Sequence, residues 1–97
     1  METLNIMNGQ LNAHERKHVG RVKELPCSVC GQAGPSDAHH IKQGNHYTVV
    51  ALCKSCHQGS LMGLHGMRRA WAIAKMDEND ALNTTIANLI KSMETKV

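Results

Sequence analysis

Apolar positions recur at helical spacing toward both ends of the chain and cluster in its middle, with Gly, Asn and Pro marking the breaks. Residues 1–12 hold no sustained period and carry Gly/Asn turn signals, so they read as a loose arm ahead of a single domain spanning 13–97. From Ala13 to Leu25, the apolar residues Val19, Val22 and Leu25 fall three apart while Arg16, Lys17, Arg21 and Lys23 occupy other faces. This predicts a basic amphipathic helix, weakened at Gly20 and stopped by Pro26. Ala38-His39-His40-Ile41 starts a short strand, and the β-branched run Tyr47 to Leu52 (YTVVAL) gives a second that pairs back through the turn at Gly44-Asn45. Two more helices are expected downstream. One covers His65 to Met76, with Met67, Ala70, Trp71 and Ala74 on one stripe; the other follows an Asp77 N-cap, with Leu82, Ile86, Leu89/Ile90 and Met93 facing inward. Together these elements predict an α+β fold.

Composition shows why such a fold needs help. A chain of 97 residues without Phe, with one Tyr and one Trp, has a thin core, and a bound metal is the expected supplement. The formal net charge is +3, which four thiolates on one zinc would lower to about +1. Distribution says more than the total: residues 1–76 carry nine Lys/Arg against four Asp/Glu, and residues 77–97 carry two against four. A polyanion is expected to meet the first three quarters of the chain. The first residues lack a basic start followed by an apolar run, and no stretch reaches the roughly 20 apolar residues of a membrane span. A soluble protein of the cytoplasm is expected, where cysteines serve as metal ligands more readily than as disulfides.

The cysteines are spaced accordingly. Cys27-x2-Cys30, 22 intervening residues and Cys53-x2-Cys56 form two knuckles, the pattern of a closed, tetrahedral four-cysteine site holding structural Zn2+. Two disulfides or a redox pair are the other readings of the same cysteines. The chain also has seven histidines. His39 and His40 alternate on a strand, so their rings point to opposite sides and take different roles: one holds a cation, while the other, with an ordinary pKa near 6.5, accepts a proton from water. His57 follows Cys56 directly and becomes the natural second ligand. His65 would lie about 12 Å further along a continuous helix, so it joins the same ion only if Gly59 and Gly63 reverse the chain. His14 and His18, on the basic helix, are expected to be solvated or to touch phosphate.

The succession Cys27 to Cys30, Ala38-His39-His40-Ile41 and Leu52-Cys53-Lys54-Ser55-Cys56-His57 resembles the HNH (ββα-metal) endonuclease family. With His46-Tyr47 and Leu64-His65-Gly66-Met67-Arg68-Arg69-Ala70-Trp71, it is most similar to the phage recombination-enhancement (Ref-type), RecA-dependent nucleases. The resemblance implies a zinc-stapled ββα-metal core flanked by N- and C-terminal helices. It also implies hydrolysis of DNA phosphodiester bonds with one divalent cation, Mg2+, Mn2+ or Zn2+, in the cytoplasm of a bacterial host and on behalf of a phage or prophage. His40 then corresponds to the general base and His39, His57 and His65 to ligands of the catalytic ion, with a RecA-type filament as an implied partner. Many members place an Asn five residues before the third cysteine; this chain has Thr48 there, whose hydroxyl could orient an imidazole, with Asn45 as a displaced candidate. Lys42, Arg68 and Arg69, with Arg16, Lys17 and Arg21 on the first helix, are candidates to bind DNA phosphates without reading sequence. The competing class is a non-catalytic zinc ribbon that binds DNA or a protein. A zinc deaminase is a poor fit, since the chain lacks the His-x-Glu pairing of those enzymes.

Overall fold

The computed structural model describes residues 11–57 and 72–94. In chain order its elements are α1 (Ala13–Lys23), β1 (Asp37–His40), β2 (Val49–Leu52), α2 (Lys54–His57) and α3 (Glu78–Glu94). This is a small mixed fold of helices and one two-stranded sheet, consistent with the α+β expectation. Residues 72–74 are also helical. The remainder of the helix expected over 65–76, including Met67, Ala70 and Trp71, lies outside the described residues, as does most of the expected arm.

Helix α1 begins with a reciprocal capping box. The Glu15 backbone N–H donates to Asn12 Oδ1 at 2.8 Å, and the Asn12 N–H donates to Glu15 Oε1 at 2.9 Å. Leu11, just before this cap, packs partly buried against the core. At the other end, the Leu25 N–H closes the last turn on the Val22 carbonyl at 3.0 Å, with basic Arg21 and Lys23 at the negative end of the helix dipole. Val19, Val22 and Leu25 are all buried, as their spacing predicts. Gly34 lies hard against this helix end, where an added Cβ would come within 2.8 Å of the Leu25 carbonyl oxygen. Ser36 fixes the same approach, its Oγ donating to that oxygen at 2.7 Å.

The strands pair antiparallel with Asp37 opposite Leu52, Ala38 opposite Ala51, His39 opposite Val50 and His40 opposite Val49. β1 has the expected length, and β2 is shorter than expected: Tyr47 and Thr48 fall in the connecting turn, where Gly44 takes a φ of +92° that favours glycine. Pleating splits the hairpin into two faces. Val50 and Leu52 pack with Cys27, Cys53, Cys56 and Ala81, whereas Val49 and Ala51 pack with Val19, Val22, Leu25 and Leu89. Helix α3 therefore crosses the hairpin, its start against the cysteines and its end against α1.

The buried stripe of α3 shares Leu89 with the expected one, and Leu82 packs against the cysteine cluster, but the rest differs. Ala81, Thr85 and Leu89 are buried, while Ile90 and Met93 are 51% and 46% exposed. The physical reason is a polar tether with small neighbours. Thr85 Oγ1 shares a 2.6 Å hydrogen bond with Ser28 Oγ, accepts the Ala51 N–H at 3.2 Å and donates to the Ala81 carbonyl at 3.0 Å. One donor and two acceptor positions are all used, which fixes Thr85 inward, with Ile90 and Met93 left toward solvent.

Candidate active site and metal centre

The two cysteine knuckles are built where elements end. Cys27 follows α1, and its carbonyl accepts the Gly31 N–H at 3.0 Å, with Gly31 at φ +82° turning the chain back. Cys53 terminates β2, and its carbonyl accepts the His57 N–H at 2.9 Å in the single turn of α2. Four sulfurs converge: the Sγ atoms of Cys27, Cys30, Cys53 and Cys56 all lie within 4.8 Å of one another. The Sγ atoms of Cys30 and Cys53 are 3.7 Å apart, close to the ~3.8 Å edge of a tetrahedron with ~2.3 Å zinc–sulfur bonds. All four thiols are free of disulfides.

Electrostatics of this cluster favour a cation. Burial pushes the Cys27 thiol up, but N–H groups of Cys30, Cys53 and Val29 outweigh it and bring the pKa down to about 7. Burial and the neighbouring thiols push Cys56 the other way. Close-packed thiols cannot all ionise without a compensating charge, and a dication bound by four thiolates supplies it. Among the described residues, no other set of three or more His, Cys, Asp or Glu side chains brings its donor atoms this close.

The histidines divide between the faces of the hairpin. On the face of Val50 and Leu52, the rings of His39 and His57 meet edge-on with centroids 5.1 Å apart. Carboxylates flank both. His57 Nδ1 is 3.2 Å from Asp37 Oδ2, and His39 Nε2 is 2.6 Å from Glu78 Oε2 at the start of α3. The His57 contact and Lys54, whose Nζ lies 3.2 Å from Asp37 Oδ1, hold the Asp37 carboxyl below its usual range. On the opposite face, His40 Nε2 is hydrogen-bonded to His46 Nδ1 at 3.0 Å, the two rings perpendicular. Burial, followed by the charges of His46 and His39, holds His40 below the usual histidine pKa and favours the neutral ring.

Other expected site residues lie further apart. The Thr48 hydroxyl donates weakly to the Asn45 carbonyl at 3.4 Å within the turn, while the His40 imidazole is hydrogen-bonded to His46. His18 also departs from expectation. Its Nε2 is 3.0 Å from the Tyr47 carbonyl oxygen and its ring lies against Tyr47, so it joins α1 to the hairpin turn. Arg16, Lys17 and Arg21 are exposed on α1, with Arg16 Nη1 donating to the Leu11 carbonyl at 2.9 Å, and Lys42 is exposed after β1. His65, Arg68 and Arg69 lie outside the described residues. Three neighbours escaped the sequence reading. Asp37 was discoverable, being two residues before His39 on the same strand face; His46 and Glu78 reach the site through a turn and a long-range docking that no local period announces.

Comparison of the chain with protein-family models, with curated proteins and with solved structures finds no match in any of the three. Fold and site thus define a class: a small α+β domain built around a four-cysteine site that fits a structural zinc ion. Two groups of histidines flank its hairpin.

Proposed function

We propose that this chain is an HNH-type endonuclease that hydrolyses DNA phosphodiester bonds with a divalent cation, in phage or prophage recombination or DNA processing. The observation that carries the reading is the separation of the vicinal histidines. His39 belongs to a cluster with His57, Asp37 and Glu78, while His40 belongs to a different face with His46. A nuclease site needs such a division. In-line displacement at phosphorus sets the attacking water and the leaving oxygen on opposite sides, so a base and a cation must approach one phosphate from different directions.

His39 and His57 fit the role of cation ligands. Asp37 beside His57 Nδ1 fixes that ring and leaves its other nitrogen for an ion, as carboxylates commonly do behind ligating histidines. A divalent cation bound there would stabilise charge on the leaving oxygen. His40 accepts the proton of the attacking water, with His46 keeping its ring in place. Exposed Arg16, Lys17, Arg21 and Lys42 attract the DNA backbone, giving affinity that falls with salt. Arg68, Arg69, a ligand role for His65 and dependence on a RecA-type filament rest on the family resemblance.

The adaptor reading, a zinc ribbon that binds DNA or protein without cutting, has one observation in its favour: among the described residues only the thiols converge within 4.8 Å. Incubating the zinc-loaded protein with supercoiled plasmid and Mg2+ or Mn2+ separates the two. Nicked circles that require added metal support the nuclease; binding with no cleavage in any divalent metal supports the adaptor.

A further inference from the structure

We propose that Tyr47, at the hairpin turn, is a stacking platform for an unpaired base of single-stranded DNA. The inference rests on the DNA-binding reading above and deepens it by naming the form of DNA that this face takes.

Three observations bear on it. First, Tyr47 is the chain's one tyrosine, in a sequence without Phe, and the fold leaves it 51% exposed. A lone exposed apolar residue needs no explanation by itself, but this one is braced. His18 Nε2 donates to the Tyr47 carbonyl at 3.0 Å, and the two rings lie 5.4 Å apart at 50°. A ring already held against α1 has less freedom to lose on meeting a base.

Second, the surroundings suit a polyanion. The turn and its flanks, residues 38–48, hold no Asp or Glu, and Lys42 is exposed there. On α1, which carries His18, Lys17 and Arg21 are exposed, while the Glu15 carboxylate is engaged by the Asn12 N–H in the helix cap. Cations beside an aromatic ring hold a single strand by its phosphates and one base face, without reading sequence. Third, Tyr47 follows His46, whose Nδ1 is hydrogen-bonded to His40 Nε2 at 3.0 Å, so the ring and the proposed base belong to one stretch of the hairpin. Duplex DNA presents base edges in its grooves, its base faces being covered by their neighbours. An exposed ring at this place therefore selects bases that are already unstacked.

The test is binding of the zinc-loaded protein, without added divalent metal, to a fluorescent single strand, the matching duplex and an abasic strand of equal length, read by fluorescence anisotropy. Wild type is expected to favour the base-bearing strand over the abasic one. Tyr47→Ala should weaken single-strand binding about tenfold, as loss of one stacked base does, while duplex and abasic binding change by less than about twofold. Tyr47→Phe should bind as wild type, because the ring and the backbone contact with His18 both remain. Fluorotyrosine reports the ring directly, since the chain has one tyrosine. Its fluorine NMR resonance should move with the base-bearing strand and stay in place with the abasic strand, a readout that holds if Tyr47→Ala fails to fold. Single-strand affinity in Tyr47→Ala within about twofold of wild type, or a fluorine resonance that ignores the bases, overturns the inference. Plasmid nicking separates it from the nuclease reading: wild-type nicking alongside unaltered single-strand binding in Tyr47→Ala removes the platform alone. Tyr47-dependent binding without nicking in any divalent metal removes the nuclease alone.

Discussion

Thr85 shows how one side chain can set the position of a helix. Its hydroxyl meets Ser28 of the first knuckle, the Ala51 N–H of β2 and the Ala81 carbonyl, all in the interior. Thr85→Val keeps the volume and removes the partner, leaving the Ser28 hydroxyl and the Ala51 N–H buried and unsatisfied. We expect the zinc-loaded variant to lose about 2 kcal/mol in urea unfolding, within the 1–3 kcal/mol cost of an orphaned buried polar group. A loss below about 0.5 kcal/mol would show that the tether is dispensable. No apolar period could have pointed to this threonine, because its position is set by polar groups distant in the sequence. The division of His39 from His40, by contrast, was legible, since alternation of side chains is a local property of any strand.

At the scale of elements, α1 was read almost to its ends because its apolar spacing, Asn12 cap and Pro26 stop agree. Gly20 is the one discordant residue. It is exposed, and a Cβ there would meet nothing within 4 Å. Gly20→Ala is therefore expected to stabilise the protein by up to about 1 kcal/mol, visible as a rise of a few degrees in the melting temperature. A fall would mean that the glycine serves a close approach absent from the folded chain alone. Helix α3 was found, but its inward face was read only in part. Of the expected stripe Leu82, Ile86, Leu89/Ile90 and Met93, Leu89 is buried and Leu82 packs against the cysteine cluster, whereas Ile90 and Met93 are exposed and Ala81 and Thr85 are small enough to approach β2 closely. The second strand was located but overextended, since β-branched Thr48 has strand propensity and yet serves the turn.

For the whole molecule, the cysteine site is the main support. Both hairpin faces bury small clusters, and the one at the start of α3 includes Cys27, Cys53 and Cys56 themselves. Structural zinc can contribute about 10–16 kcal/mol at neutral pH, comparable to the whole stability of an ordinary domain of about 5–15 kcal/mol. Stripping the metal with a strong chelator should therefore unfold the chain. Circular dichroism is expected to lose most of its helical signal and to regain it when Zn2+ is restored. A metal-free protein with an unchanged melting curve would contradict that role. The spacing of the cysteines made this site readable in advance. The histidine cluster around His39 was only half readable, because Glu78 reaches His39 from a helix whose docking depends on the tertiary fold.

The rate of supercoiled-plasmid nicking by wild type and His40→Ala, at equal zinc content and saturating Mn2+, tests most directly the proposal that the hairpin carries a DNA-cutting site. A general base contributes about 10²- to 10⁴-fold, so the account predicts a loss of that order while DNA binding and Mn2+ affinity remain unchanged. Equal rates in the two proteins would contradict it.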